Sequence, residues 1–350
     1  MLIKQALSAS LNRVILPRVI IPEGASLKRK GLRLLLLATF LSLIPSLAPA
    51  RSTASRPGKP VARKTAEFEA LPLLRSRQNH LLVQASVNGK IAWLGVDSGA
   101  PFTAIASHRR AHFRLTDVPE DSDLPSRLQV NGAYNNVSIV RNLRLGSLNL
   151  LDEPVVVLNL GGSRRQRIVE EQQIDGILGA DVLFPTHAVL DCRRRLLVLK
   201  MDPELPGRAP GIDYRGFKAV PMQVSDGSNL YVDAKINDRP AKLMVDTGAF
   251  ATLLHRPFLR EMRVPMRRTQ FSSAAVNLKQ RGVDVARIRK LSVGSIDMLN
   301  RQVGVIDLEG LVHDRLLDGE PPVAGLLGAE ILDRHHGIID FGTRTLYLRR

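Results

Sequence analysis

The chain repeats itself. When its 350 residues are slid along themselves by 149 positions, 11 of the 26 pairs between 80–105 and 229–254 are identical, as are ten of the 25 pairs between 175–199 and 324–348. Average composition would give about two identities in each window. Two distant windows in one register mean two copies of one structural unit, and a period this long describes paired domains, not a solenoid of short repeats. The copies run from 68 to 200 and from 214 to 350. Between them, 201–213 carries Pro203, Pro206, Gly207, Pro210 and Gly211 and reads as a linker.

Each copy has the pattern of strands. Leu81, Val83, Ala85 and Val87 alternate on one face, Asn88-Gly89 is a hairpin signal, and Ala92, Leu94 and Val96 resume the apolar face. Leu230, Val232, Ala234 and Ile236, then Asn237-Asp238, then Ala241, Leu243 and Val245 repeat the design. Later apolar runs, among them 155–158, 196–199, 303–306 and 346–348, are short and turn-bounded. Helix is expected only as short turns after Gly179 and Gly328, with Asp181 and Glu330 near the positive helix end.

Both hairpins run directly into a carboxylate: Val96-Asp97-Ser98-Gly99-Ala100 and Val245-Asp246-Thr247-Gly248-Ala249. An acid after an apolar strand is costly to bury alone, so its repetition at one place in two copies calls for a reason. The following hydroxyl is suited to bracing a loop and the glycine to letting other groups approach. One Asp-[Ser/Thr]-Gly is an ordinary turn sequence; two in register are not. Eighty-two residues after each Asp stands a second recurring element, Ile177-Leu178-Gly179 and Leu326-Leu327-Gly328, which suits a strand packed beside the carboxylate loop.

Apolar-apolar-Asp-[Ser/Thr]-Gly-Ala followed by apolar-apolar-Gly resembles the aspartic peptidases, and its Asp-[Ser/Thr]-Gly-Ala form resembles their retropepsin-like branch. The closing segments 178–191 and 327–341 also resemble the end of a pepsin-like lobe. The resemblance implies a mainly β, bilobal acid-protease fold with an inter-lobe cleft and a single-chain pseudo-dimer, hence a monomer. It implies that Asp97 and Asp246 activate water between them. Ser98, Gly99, Ala100, Thr247, Gly248 and Ala249 would support the site loops, and Ile177, Leu178, Gly179, Leu326, Leu327 and Gly328 would lie beside the pair. The implied substrate is a protein or peptide in extended conformation, cut without cofactor or metal. A covering hairpin, or flap, is expected around Gly132 and Tyr134 in copy one, with 271–283 in the comparable place in copy two.

The remaining features narrow the alternatives. A net charge of +17 raises the question of nucleic acid, but seven of the 50 basic residues lie within 1–50 and aromatic residues make up only 4% of the chain. No aromatic and basic residues interleave as single-strand binding surfaces require, so no nucleic-acid partner is expected. The eight His lack zinc-protease spacing, and the single Cys192 excludes intramolecular disulfides and Cys-rich zinc modules. Asp191 and Asp340, after apolar strands, read as turn caps.

At the N-terminus, Lys28-Arg29-Lys30 precedes the uncharged run 34–47 and Ala48-Pro49-Ala50. This is the layout of a signal peptide, so 1–50 is expected to direct export to the periplasm or medium, or to tether the chain if 34–47 is retained. Residues 51–67 read as a flexible spacer. The competing function classes are a catalytically silent peptide-binding module and a membrane-surface interaction protein on the same fold. Two mutually repelling acids would add nothing to a module that only binds.

Overall fold

The computed structural model describes residues 67–350 apart from 77–78, 161–167, 170–171, 203–208, 226–227, 270–272, 276–277, 281–282 and 313. Residues 1–50, where an export signal is expected, nearly all of the expected spacer, most of the linker's Pro and Gly residues and much of 271–283 therefore lie outside the described residues.

Both copies contain the expected hairpin. Leu81–Val87 pairs antiparallel with Lys90–Val96, and Asn229–Ile236 with Arg239–Val245. The turn residues Asn88 and Gly89 have φ of 49° and 80°, and Asn237 and Asp238 of 48° and 69°. Positive φ at both central positions gives the turn whose twist matches the strands it joins. Alternation puts Val83, Ala85 and Val87 inside and leaves Gln84 exposed.

The chain then returns to its own beginning. Gly176–Leu178 lies parallel to Lys90–Val96 and antiparallel to Ala104–Ala106. Val323–Leu327 lies in the same way between Arg239–Val245 and Leu253–His255. Parallel neighbours require a long crossover, and the strands between the two motifs supply it. Each Asp loop is thus flanked by a strand drawn from far along its own copy. The short helices Ala180–Leu183 and Ala329–Arg334 follow Gly179 and Gly328.

A six-stranded antiparallel sheet joins the copies, in the order Phe68–Arg75, Leu196–Lys200, Val189–Asp191, Ile338–Asp340, Thr345–Leu348, Lys218–Ser225. Three strands come from each copy. Leu190 and Ile339, both fully buried, face each other at its centre. Asp191 and Asp340 cap turns, accepting hydrogen bonds from the amides of Arg194 at 2.8 Å and Thr343 at 2.9 Å. One continuous apolar core includes Leu94 and Leu178 from the first copy and Leu243 and Leu327 from the second. Cys192 is buried within it, and burial pushes its thiol up to about 12, which leaves it inert near neutrality.

Candidate active site

Asp97 and Asp246 sit one residue beyond Lys90–Val96 and Arg239–Val245, where the inner hairpin strands end. The neighbouring strand fixes each loop. The Asp97 amide donates to the Leu178 carbonyl and the Asp246 amide to the Leu327 carbonyl, both at 3.1 Å. Ala100 and Ala249 hold the next segment, since their carbonyls accept from the amides of Ala180 at 2.9 Å and Ala329 at 2.8 Å. Gly179 and Gly328 let the strand cross the backbone at Phe102 and Ala251 with no room for a side chain.

The second loop residue binds the loops to each other. The Ser98 hydroxyl donates to the Val245 carbonyl at 2.7 Å and accepts from the Thr247 amide at 3.1 Å. Reciprocally, the Thr247 hydroxyl donates to the Val96 carbonyl at 2.8 Å and accepts from the Ser98 amide at 3.0 Å. Both side chains are buried, so every one of these groups needs its partner.

The third residue lets the acids meet. A Cβ added to Gly99 would stand 2.8 Å from Cγ of Asp246 and 2.9 Å from its Oδ1; one on Gly248 would stand 2.6 Å from Cγ of Asp97. Each glycine's bare face therefore lies against the carboxyl of the other copy. The two carboxyls act directly on each other. Oδ1 of Asp97 accepts from the Gly99 amide at 2.9 Å, and Oδ1 of Asp246 from the amides of Gly248 at 2.9 Å and Ala249 at 3.0 Å.

Burial raises both acids above the ordinary carboxylate range, and for Asp246 the neighbouring Asp97 charge raises it further. Amide donors, and for Asp97 the His80 imidazole, pull the other way. Both Asp residues keep partial solvent exposure. Two touching carboxyls that cannot both ionise readily form a shared-proton pair open to a substrate, able to take a proton at one oxygen and give one at another.

Some residues that hold the site were not singled out from sequence. Thr103 and Thr252, fully buried, accept the amides of Gly179 and Gly328 on their hydroxyls, each at 3.1 Å. They are identical at the 149-residue offset, which was the available signal. Asp181 and Glu330 stand in the first turns of their short helices, as expected, and also reach across to accept from the Thr103 amide at 2.6 Å and the Thr252 amide at 2.7 Å. Neither His80, which acts on Asp97, nor buried Glu153, which lies near Asp181, carried a motif.

A hairpin stands where the covering hairpin is expected. Arg127–Val130 pairs with Ala133–Leu145 through Asn131 and Gly132, with φ of 47° and 82°. Tyr134 follows the turn and is 64% exposed, with the Arg127 guanidinium 5.8 Å from its ring centre. In copy two, Ser273–Ala275 pairs with Leu278–Gln280. Among the described residues, no cluster of His, Cys, Asp and Glu is placed to hold a metal ion.

The solved structures that the chain resembles include the aspartic proteinase from Irpex lacteus, at 14% identity and a TM-score of 0.45, covering 81% of this chain and 97% of that one. Another is basic 7S globulin from soybean, at 11% identity and a TM-score of 0.39, covering 81% and 95%. No curated protein matches. A family model described as aspartyl protease matches twice, at residues 83–182 and 232–331, together more than half of the chain. The two matches lie in the register of the duplication, one carbonyl-anchored Asp loop in each, and on that ground the chain belongs to the aspartyl protease family.

Proposed function

We propose that the protein is an aspartic endopeptidase that hydrolyses peptide bonds by general acid/base activation of water between Asp97 and Asp246. The observation that carries this reading is the direct contact of the two carboxyls, each seated against the opposite glycine. As is general for aspartic protease dyads, such a pair holds one proton between two acids. The ionised member takes a proton from a water lying between the carboxyls while the protonated member donates to the scissile carbonyl oxygen. The water oxygen bonds to the carbonyl carbon and a neutral tetrahedral diol results. Its collapse breaks the C–N bond: one hydroxyl returns a proton to the dyad and the leaving nitrogen receives one. No covalent acyl-enzyme forms, and the dyad ends with the single proton it began with.

Substrate would lie extended between the lobes, with the hairpin carrying Gly132 and Tyr134 closing over it to exclude water. Export by residues 1–50 and a monomeric state belong to the same proposal. The test is cleavage of a peptide library from pH 3 to 7 by wild type, Asp97→Asn and Asp246→Asn. Each substitution is expected to lower kcat by about 1,000-fold or more, since it removes one of the two proton-transfer groups. Cleavage at the wild-type rate by either variant overturns the reading, as does a wild type that binds peptides and cuts none.

A further inference from the structure

His80 immediately precedes Leu81–Val87. The register of the first hairpin runs Val83↔Leu94, Leu82↔Gly95. Two steps further, the same register sets His80 opposite Asp97. In the second copy, where Tyr231 pairs with Met244, it sets Asn229 opposite Asp246. Directly opposite residues of an antiparallel pair point to one face, with Cβ atoms about 4.5–5.5 Å apart. The His80 backbone is pinned at this place: its amide donates to the Ser76 hydroxyl at 3.0 Å, and its carbonyl accepts from the Ser76 amide at 2.9 Å.

The imidazole and the Asp97 carboxyl act on each other electrostatically. Among the described residues, Asp97 is the one charged group acting on the imidazole. The titratable groups that act most strongly on Asp97 are His80 from its own lobe and Asp246 from the other. Burial lowers the imidazole's affinity for a proton, and the Asp97 charge raises it. At the matching position of the second copy stands the buried and always neutral Asn229. The duplication thus breaks its symmetry beside the dyad, with an ionisable base on one side only.

We propose that His80 is a positioning residue of the dyad, whose imidazolium favours the singly ionised carboxyl pair and so carries the active form of the enzyme to lower pH. This rests on the peptidase reading above. The direction follows from charge. While the imidazole is protonated it stabilises an anion on Asp97, so the pair's first proton leaves at lower pH. Once the imidazole is neutral it no longer acts, so the second ionisation, at higher pH, goes unaffected.

His80→Asn, which copies the second lobe, is expected to move the acid limb of the kcat/KM profile up by about one pH unit. The alkaline limb stays in place. A purely structural role would lower activity at every pH and shift neither limb alone. A second arm needs no turnover: by linkage, Asp97→Asn lowers the His80 titration midpoint, followed by NMR of the ring Cε1 proton, by an amount comparable with the limb shift. The proposal is overturned if the acid limb stays put, if both limbs move together, or if the His80 midpoint is unchanged in Asp97→Asn. A wild type inactive at every pH overturns the peptidase reading instead, and the NMR arm then decides the His80–Asp97 coupling alone.

Discussion

Gly99 and Gly248 occupy the tightest positions around the carboxyls, and the tightness is between lobes. Gly99→Ala would drive a methyl group into the Asp246 carboxyl, which must then turn away from Asp97. Because a misplacement of about 1 Å at reacting groups costs on the order of 100-fold, kcat for peptide cleavage is expected to fall by that factor or more while the circular dichroism spectrum is kept. Ser98→Ala acts differently. It removes the acceptor of the Thr247 amide and the donor to the Val245 carbonyl, both buried, and is expected to cost about 2–4 kcal/mol in denaturant melts. Thr247→Ser keeps its hydroxyl and is expected to cost less than about 1.5 kcal/mol. These residues were legible because both copies repeat them. His80 and Glu153 were not, since each differs from its counterpart, and only the folded chain sets His80 against Asp97 and Glu153 near Asp181.

Among the elements, the strand Leu148–Leu158 carries an acid into the interior. Glu153 is buried, and burial together with the nearby Asp181 charge pushes its carboxyl up to about 8. Asp181, held by the Thr103 amide and hydroxyl, is itself pushed up to about 6 by burial. In the second copy the hairpin register puts Arg301 in the place of Glu153, with Glu330 acting on it as a counter-charge. The first lobe therefore holds two acids where the second holds an acid and a base. Glu153 keeps its proton when folded but loses it above about 4.5 when unfolded. The native state binds the extra proton between these values, so stability falls as pH rises from about 4.5 to about 8 and levels off above. Glu153→Gln is expected to flatten this slope. Its melting temperature should gain on wild type from pH 5 to pH 8, with up to about 5 kcal/mol of pH-dependent stability removed; parallel curves for the two proteins would refute the assignment. The hairpins and their turns could be read from alternation and from Asn88-Gly89. That Gly176–Leu178 packs beside the carboxylate loop could be read from the recurring apolar-apolar-Gly, but its parallel direction and its place between Lys90–Val96 and Ala104–Ala106 could not, because local pattern is silent about strand direction and order across 80 residues.

For the molecule as a whole, the dyad depends on a frame to which neither copy is sufficient. The six-stranded sheet joins the copies at its centre, where Val189–Asp191 pairs with Ile338–Asp340, and Arg75 of the first copy pairs with Asp333 of the second at 3.0 Å. The Ser98 and Thr247 hydroxyls close the frame at the opposite end, at the carboxyl loops themselves. The duplication announced two lobes and paired carboxylates, but not this shared sheet, whose strands Val189–Asp191 and Ile338–Asp340 read equally well as elements internal to each copy. Since one lobe cannot unfold without exposing the other's sheet edge and the buried Leu190 and Ile339, the lobes are expected to melt together. Calorimetry should give one transition whose van't Hoff and calorimetric enthalpies agree. Leu190→Ala should lower that single midpoint by about 5–10 °C, from a cavity cost of about 2–5 kcal/mol, and should reduce peptide cleavage in step as the carboxyls lose their common support. Two resolved transitions, only one of them moved by Leu190→Ala, would mean that the lobes are independent folding units and that the hydroxyl contacts alone hold Asp97 against Asp246.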